Sequence, residues 1–292
     1  MGKAIKIRNK GPKRRKKGEP TLAETADKYD LYQRSVQAPD VEVETIDSIF
    51  NDTFGRRAMT LREDFSGTSA VCCEWAKSDE NRVAYGVDLD PEPLEWGRIH
   101  NVSPLEVDEQ ARVHLVEGDV RTADTPKADV VAAQNFSFFC FKQRSELLNY
   151  FKTAYDNLDD EGILFLDMLG GYNVYEDERE DVREIDDEFT YIWEQKSFEP
   201  ITHSAENVIH FEFDDGSRLD RAFVYEWRMW TMPELRDVLL DAGFARADVY
   251  WEGTDDDSGE GTGEYHLQEA GDCDPSWLAY VAAVKTPKTA AK

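Results

Sequence analysis

The chain of 292 residues has no apolar run near the roughly 20 residues that a membrane-spanning helix needs, so no membrane span is expected. Its first residues hold no apolar stretch of the kind that marks a secretory signal. Cysteine is scarce. Cys72, Cys73, Cys140 and Cys273 form no C-x-x-C pair, which predicts reduced thiols and a cytoplasmic protein. H-E-x-x-H is missing and five scattered histidines offer no ligand spacing, so no metal site is expected. G-x-G-x-x-G is also missing, which argues against a bound diphosphate. Basic residues are outnumbered, 34 Lys and Arg against 61 Asp and Glu, for a net charge of −27. Nine of those cations lie between Lys3 and Lys17, where there is no acid, leaving −36 on the rest. Such a body repels phosphate backbones, so a nucleic-acid partner is not expected.

The chain is organised around Leu61 to Asp90, LREDFSGTSAVCCEWAKSDENRVAYGVDLD. A short extended run (Met59 to Glu63) enters a small-residue turn, Phe65-Ser66-Gly67-Thr68-Ser69. Ala70 to Lys77 reads as a helix and Val83 to Val87 as a second strand, ending in Asp88. In doubly wound α/β proteins such a turn meets a ligand at a helix N-terminus, and the acid after the second strand grips ribose hydroxyls. Gly67 and Asp88 are 21 residues apart, close to the roughly 20 of ribose-binding acids. With one glycine in the turn, a nucleoside without a diphosphate fits better than a dinucleotide.

Around this stretch, residues 1–20 read as a disordered basic arm. Thr21 and Glu24 form a capping box that opens a helix to about Val36, carrying Tyr29 and Tyr32. A second helix from about Asp40 puts Val43, Ile46, Ile49, Phe50 and Phe54 on one face. Pro91 to His100 reads as a helix and Val113 to Glu117 as a strand, followed by Gly118-Asp119-Val120. Asp129 to Ala133 is continuously apolar, as a buried parallel strand is, and ends in Gln134-Asn135-Phe136-Ser137-Phe138-Phe139. Gln143 to Leu158 is amphipathic, and Gly162 to Met168 is a further strand. Residues 172–230 change character. Phe189 to Glu194, Ile209 to Phe213 and Phe223 to Met229 alternate, with a hairpin turn at Asp214 to Ser217, so they read as an antiparallel insert with an aromatic face. Thr231 and Glu234 cap a helix that ends at Gly243. Ala247 to Trp251 and Trp277 to Val284 are strands, Thr254 to Asp274 an acidic mobile segment, and the last residues a polar tail.

The turn and its neighbours resemble the class I S-adenosylmethionine (SAM)-dependent methyltransferases. Aligned on Gly67, that family's first motif puts its acid at Glu63 and its three glycines at Phe65, Gly67 and Ser69. Gly86 to Asp90 resembles the next motif, and Gly118-Asp119-Val120 the glycine-acid-apolar motif after strand three. Asn135 to Phe138 is similar to the N-P-P-Y element of amino-group methyltransferases, without its prolines. W-T-M-P-E-L-R-D-V-L-L-D-A-G-F resembles the late helix of enzymes acting on small molecules. The resemblance implies a doubly wound, seven-stranded Rossmann-like sheet with an added antiparallel β insert, and SAM as cofactor. It divides the chain into a basic arm (1–20), a SAM-binding core with N-terminal helices (21–171), the insert as substrate lid (172–230), completion of the core (231–285) and a tail (286–292). Glu63, Phe65 and Gly67 would border the methionine end. Asp88 would hold the ribose, with Leu89 beside adenine, and Asp119 and Val120 would hold adenine. Asn135 and Phe136 would sit by the sulfonium, where a ring contributes about 0.5–2 kcal/mol by cation–π attraction.

Methyl transfer from a sulfonium needs alignment more than a catalytic triad, and none is seen. Candidate substrate contacts are Trp193, Tyr225 and Arg228, with Glu194, His203 and His210 among the polar residues of the insert. The rings would bind a small-molecule substrate or pack the insert on the core; Arg228 would clamp a carboxylate or pair with local acids. Two other readings stand beside this one: a non-catalytic SAM- or partner-binding module on the same fold, and a nicotinamide-dependent oxidoreductase, which the glycine-poor turn disfavours. The methyl acceptor, the target atom and the oligomeric state are not legible.

Overall fold

The computed structural model describes residues 18–254 and 261–286. The basic arm up to residue 17, the tail from 287 and part of the acidic segment, 255–260, lie outside the described residues. Two short helices, α1 (Leu22–Thr25) and α2 (Lys28–Val36), precede α3 (Pro39–Phe54). Next come β1 (Thr60–Asp64), α4 (Ala70–Lys77), β2 (Val83–Asp88), α5 (Pro91–Gly97), a π-helical turn (Arg98–Val102) and α6 (Val107–Gln110). They are followed by β3 (Val113–Glu117), β4 (Ala128–Ala133), a 3-10 turn (Ser137–Cys140), α7 (Arg144–Asn157) and β5 (Leu158–Gly170). Beyond a 3-10 turn (Tyr172–Tyr175) lie β6 (Arg179–Ile185), β7 (Phe189–Glu199), β8 (Ser204–Phe213) and β9 (Arg218–Arg228). The chain closes with α8 (Met232–Ala242), β10 (Arg246–Thr254), β11 (Gly261–Leu267) and β12 (Trp277–Lys285).

Contacts divide these elements into two units. The larger comprises 38–175, 200–204 and 227–286, and the smaller 18–37, 176–199 and 205–226. The larger unit is built on an eight-stranded sheet in the order β11-β10-β12-β5-β4-β1-β2-β3. From β5 to β3 every pair is parallel; β12, β10 and β11 join antiparallel. Apolar side chains cover the sheet on both faces, as a parallel sheet demands. Val43, Ile46, Ile49 and Phe50 of α3 pack with Trp75 of α4 against Leu61, Ala84, Val130, Ile163 and Phe165. All six residues of β4 are buried, Asp129 near its start included, which explains the apolar run from Val130 to Ala133.

The seven expected strands are present, and β11 is an eighth. It pairs antiparallel with β10 along the sheet edge, Tyr250 opposite Leu267 and Glu252 opposite Tyr265. Its segment read as mobile because nearly all of it is exposed, so no buried face marks it as a strand. The first expected helix is two. The first ends at Thr25 with Ala26 as its C-cap, and Asp27 caps α2, its carboxylate accepting the Tyr29 and Asp30 N–H groups.

In the smaller unit, β6-β7-β8-β9 form a sheet. Leu31 of α2 joins Phe189, Tyr191, Ile209 and Phe211 in its core. β6 gave no signal in the sequence because it is a charged, largely exposed edge strand.

Glycine has a steric task at the end of α5. A Cβ on Gly97 would lie 2.2 Å from the Thr68 carbonyl oxygen, so α5 lies against the turn after β1 only because that position is bare. Gly97→Ala should cost about 1–3 kcal/mol, the usual penalty of overpacking, read as a lower urea midpoint at unchanged slope.

Candidate functional site

The strand order reverses between β1 and β4, which lie side by side and lead away to opposite edges of the sheet. Open α/β sheets bind ligands at such a switch point, outside the carboxyl ends of the strands. Two backbone corners stand there. After β1, Phe65, Gly67 and Ser69 have φ of 59°, 51° and 57°. These are the three places where the resembled motif has glycine, so the left-handed path is kept with two of its three glycines replaced. After β4, Asn135 and Phe136 take φ of 54° and 57°.

Specific bonds hold both corners. The Gly67 N–H donates to Asp88 Oδ2 at 2.7 Å, and the Asp90 N–H to Asp88 Oδ1 at 2.9 Å. The Ser66 N–H reaches the Val87 carbonyl at 3.0 Å. The first corner is thereby tied to the end of β2. A Cβ on Gly86 would come within 2.8 Å of the Ser69 hydroxyl and 2.9 Å of the Ser66 hydroxyl, so that glycine makes room for the turn. At the second corner, Asp167 of β5 accepts the Asn135 N–H at 2.7 Å and the Phe136 N–H at 2.9 Å. The Phe136 ring lies edge-on to Trp227, 6.0 Å between centroids.

The remaining candidates divide. Glu63 is buried, and its Oε2 accepts the Cys72 N–H at 3.1 Å, so it braces the first turn of α4. Phe65 is half-buried against Phe141 and Tyr150. Leu89 is 70% exposed, unusual for leucine and next to Asp88. Val120 is buried, and its carbonyl accepts from Arg62, a fully buried side chain that also bonds Asp64, Ala123 and Thr125. Asp119 is not a free acceptor. Arg121 grips both its oxygens, which lowers its pKa through the side-chain hydrogen bond.

The candidate substrate contacts are otherwise engaged. Arg228 pairs with Glu234 at 2.9 Å and stacks 3.7 Å from the Trp230 ring centre. With Arg144, Asp237 and Asp241 it lines a cavity of about 370 Å³. Trp193 and Tyr225 stack 6.0 Å apart and pack on the core of the smaller unit. Tyr32 packs there too. His210 lies between Glu194 and Asp220, 2.9 Å from one carboxylate and 2.6 Å from the other. His203 Nδ1 is 3.3 Å from the Met229 carbonyl.

No motif marks Glu42, Gln134 and Asp167 as site residues. Glu42 is a polar position on an otherwise apolar helix face, and Gln134 and Asp167 fall at strand ends among apolar residues. Burial pushes Glu42 up to about 7, Asp167 to about 7 and Glu63 to about 8, and raises Asp88 as well. Neighbouring acids add to this: Asp167 acts on Glu42, and Glu42 and Asp88 on Glu63. Among the described residues no group of His, Cys, Asp and Glu is set to hold a metal ion, and no helix is long and apolar enough to cross a membrane.

Strand order, switch point and corners together define the Rossmann-like methyltransferase fold, extended by an edge strand and an antiparallel insert. Solved structures share this fold at low sequence identity. The methyltransferase CcbJ from Streptomyces caelestis matches with a TM-score of 0.64 at 17% identity, over 86% of this chain and 98% of that one. SAM-bound CalS10 from Micromonospora echinaspora, an amino pentose methyltransferase, matches at 0.59 and 16%, over 88% and 97%. The sugar N-methyltransferase KedS8 from Streptoalloteichus sp ATCC 53650 matches at 0.59 and 16%, over 94% and 100%. No family model matches the chain, and no curated protein matches it in sequence.

Two outcomes test this geometry. At position 65 the ordinary order of Ala above Gly should reverse. Phe65→Gly should be more stable than Phe65→Ala by about 1 kcal/mol in urea unfolding, because only glycine takes a positive φ without strain. The second concerns pH. Between pH 5 and 8 the unfolded chain has ionised these carboxyls while native Glu42, Glu63 and Asp167 still hold protons. The native state then binds more protons, so unfolding free energy falls as pH rises. The contribution is complete below about pH 4, the ordinary carboxyl range, and is lost as pH passes through about 7 and 8. The melting temperature should decline from pH 5 to 8.5, and less steeply in Glu63→Gln.

Proposed function

We infer that the protein is a SAM-dependent methyltransferase acting on a small-molecule acceptor. The observation that carries the reading is the pair of left-handed corners flanking the β1/β4 switch point, with the Asp88 carboxylate fixed beside the first. The Asp88 carboxylate takes the Gly67 and Asp90 N–H groups, one on each oxygen, and the Leu89 N–H as well, and its remaining acceptor capacity would go to the ribose hydroxyls. Exposed Leu89 offers an apolar surface to a base. Glu63 acts from behind, holding α4 against the corner, while Phe65 and Gly67 shape the backbone facing the amino-acid tail. Val120 would close the adenine side, and Asp119 would take part with Arg121 still attached. Asn135 and Phe136, pinned by Asp167, present backbone and a ring at the place a sulfonium would occupy.

SAM supplies an activated methyl group when bound. The chain's task is to hold donor and acceptor in line and keep water away, and orientation of this kind carries much of such a rate. The likeness to an amino pentose and a sugar N-methyltransferase, and the Asn135 to Phe138 element, favour an amine on a sugar-like acceptor. The aromatic face carrying Trp193 and Tyr225 would be a platform for such a ring, with the insert as substrate lid. Arg228, already paired with Glu234, is the weakest of the substrate assignments. The compartment that suits this chemistry is the cytoplasm, where SAM is made and thiols stay reduced.

Release of S-adenosylhomocysteine, measured across amino sugars and their hydroxyl counterparts, tests the reading. Turnover confined to the amines supports it, and SAM binding without turnover on any acceptor leaves the non-catalytic module. Asp88→Ala should weaken SAM binding by about 1.5–3 kcal/mol in a calorimetric titration, the cost of charged hydrogen bonds. Unchanged affinity removes Asp88 from the site.

A further inference from the structure

Glu42 lies on α3, outside every motif that marks the site in the sequence. It is 8% exposed, and its Oε2 has no hydrogen-bond partner. Its carboxyl is held on the other side by the Ala38 backbone and the Gln134 amide. Gln134 is 5% exposed, and its Oε1 is likewise without a partner. Two buried acceptors on touching side chains are thus left unsatisfied, a costly state that native proteins rarely keep without a ligand. Acids surround Glu42: Asp167 from β5, Glu63 from β1 and Asp40 on its own helix each disfavour its charged form, and the Tyr280 phenol of β12 is a neutral neighbour. The cluster is not disposed to hold a metal ion.

The place is specific. Gln134 directly precedes the Asn135–Phe136 corner, and Asp167 pins that corner from the other side. Glu63 lies on the strand that leads into the first corner. What is missing is a compact donor with several N–H groups and a positive charge. An alkylammonium has three donors and no acceptor.

We propose that Glu42 and Gln134 seat the α-ammonium group of the amino-acid tail of SAM. The proposal rests on the function inferred above, and it assigns the anchor of the tail to α3 rather than to the glycine-poor turn. The carboxylate accepts one N–H through Oε2 and the amide a second through Oε1, so that both orphaned atoms are satisfied by one group. The tail's ammonium and the buried carboxylate neutralise each other.

Three ligands separate the possibilities. SAM carries both ammonium and sulfonium, S-adenosylhomocysteine keeps the ammonium alone, and methylthioadenosine has neither. Calorimetric titration of wild type, Glu42→Gln and Gln134→Met with each is the test, with far-UV circular dichroism to establish folding. Glu42→Gln should weaken SAM and S-adenosylhomocysteine alike, about ten- to hundredfold, and leave methylthioadenosine within about twofold of wild type. Gln134→Met should give the same pattern with a smaller loss. Loss for SAM alone would give Glu42 to the sulfonium and overturn the proposal. Equal affinity of wild type and both variants for all ligands would mean that the two side chains satisfy each other with Glu42 protonated, and would also overturn it. If wild type binds none of the three, the inferred function fails and the proposal with it.

Discussion

One hydrogen bond sets the geometry of the corner, the 2.7 Å contact from the Gly67 N–H to the Asp88 carboxylate. The chain leaves β1 and must start α4 within six residues. It does so by alternating into the left-handed region at Phe65, Gly67 and Ser69. Gly67 takes that path freely, but Phe65 and Ser69 do not favour it, so the neighbouring strand must hold it. β2 does this twice, through Asp88 and through the Val87 carbonyl. The glycines that a turn of this kind uses have in effect moved to its surroundings. Gly86 leaves space for the Ser66 and Ser69 hydroxyls, which bond each other at 3.0 Å, and Gly97 leaves space for the Thr68 carbonyl.

The second corner repeats the arrangement with other parts. Asn135 and Phe136 are also left-handed, and one carboxylate, Asp167, takes both their N–H groups. Each non-glycine residue in that region costs about 1–2 kcal/mol. Strain of this order survives where surrounding structure over-determines it, and it concentrates at working sites. Two strained corners, one clamped by half-buried Asp88 and the other by buried Asp167, each from an adjacent strand, at the one point where the sheet reverses, are hard to account for by folding alone. The clamps also explain the acids' state. An aspartate held by backbone N–H groups inside the protein gains hydrogen bonds but loses water, and for Asp167 the loss of water dominates, carrying it to about 7.

The large sheet was legible because its signals are local. β4 is apolar from Val130 to Ala133, since both faces are covered, and so are most of β12 and the stretch of β5 from Ile163 to Leu166. α8 announces itself by Thr231, Glu234 and Gly243, and all three cap as their types suggest. β11 and β6 were silent because exposed edge strands carry no buried face. The split of the first helix turned on Asp27, which as a cap competes with its own helix. Glu42 and Gln134 were silent for another reason. Their significance lies in what they lack, a partner, and sequence spacing does not report the absence of one.

The charge distribution ties these strands of argument together. A body of net −36 outside the basic arm draws cations from solution, but at physiological salt that field fades within about 8 Å. Surface acidity therefore bears on encounter and not on the bound state. On the proposed function, binding of the cationic donor would rest on the buried carboxyls Glu42, Glu63 and Asp167, with half-buried Asp88 beside them. They are costly to ionise without a ligand, and a cation repays part of that cost by its presence. The same ring works against an amine acceptor, because nearby negative charge holds the proton that an amine must lose before it attacks. The two demands are compatible only if the buried acids serve the donor and the acceptor amine sits beyond them. On the proposed reading Asn135 and Phe136 would lie at that boundary, a neutral amide and an aromatic ring where charge would hinder transfer.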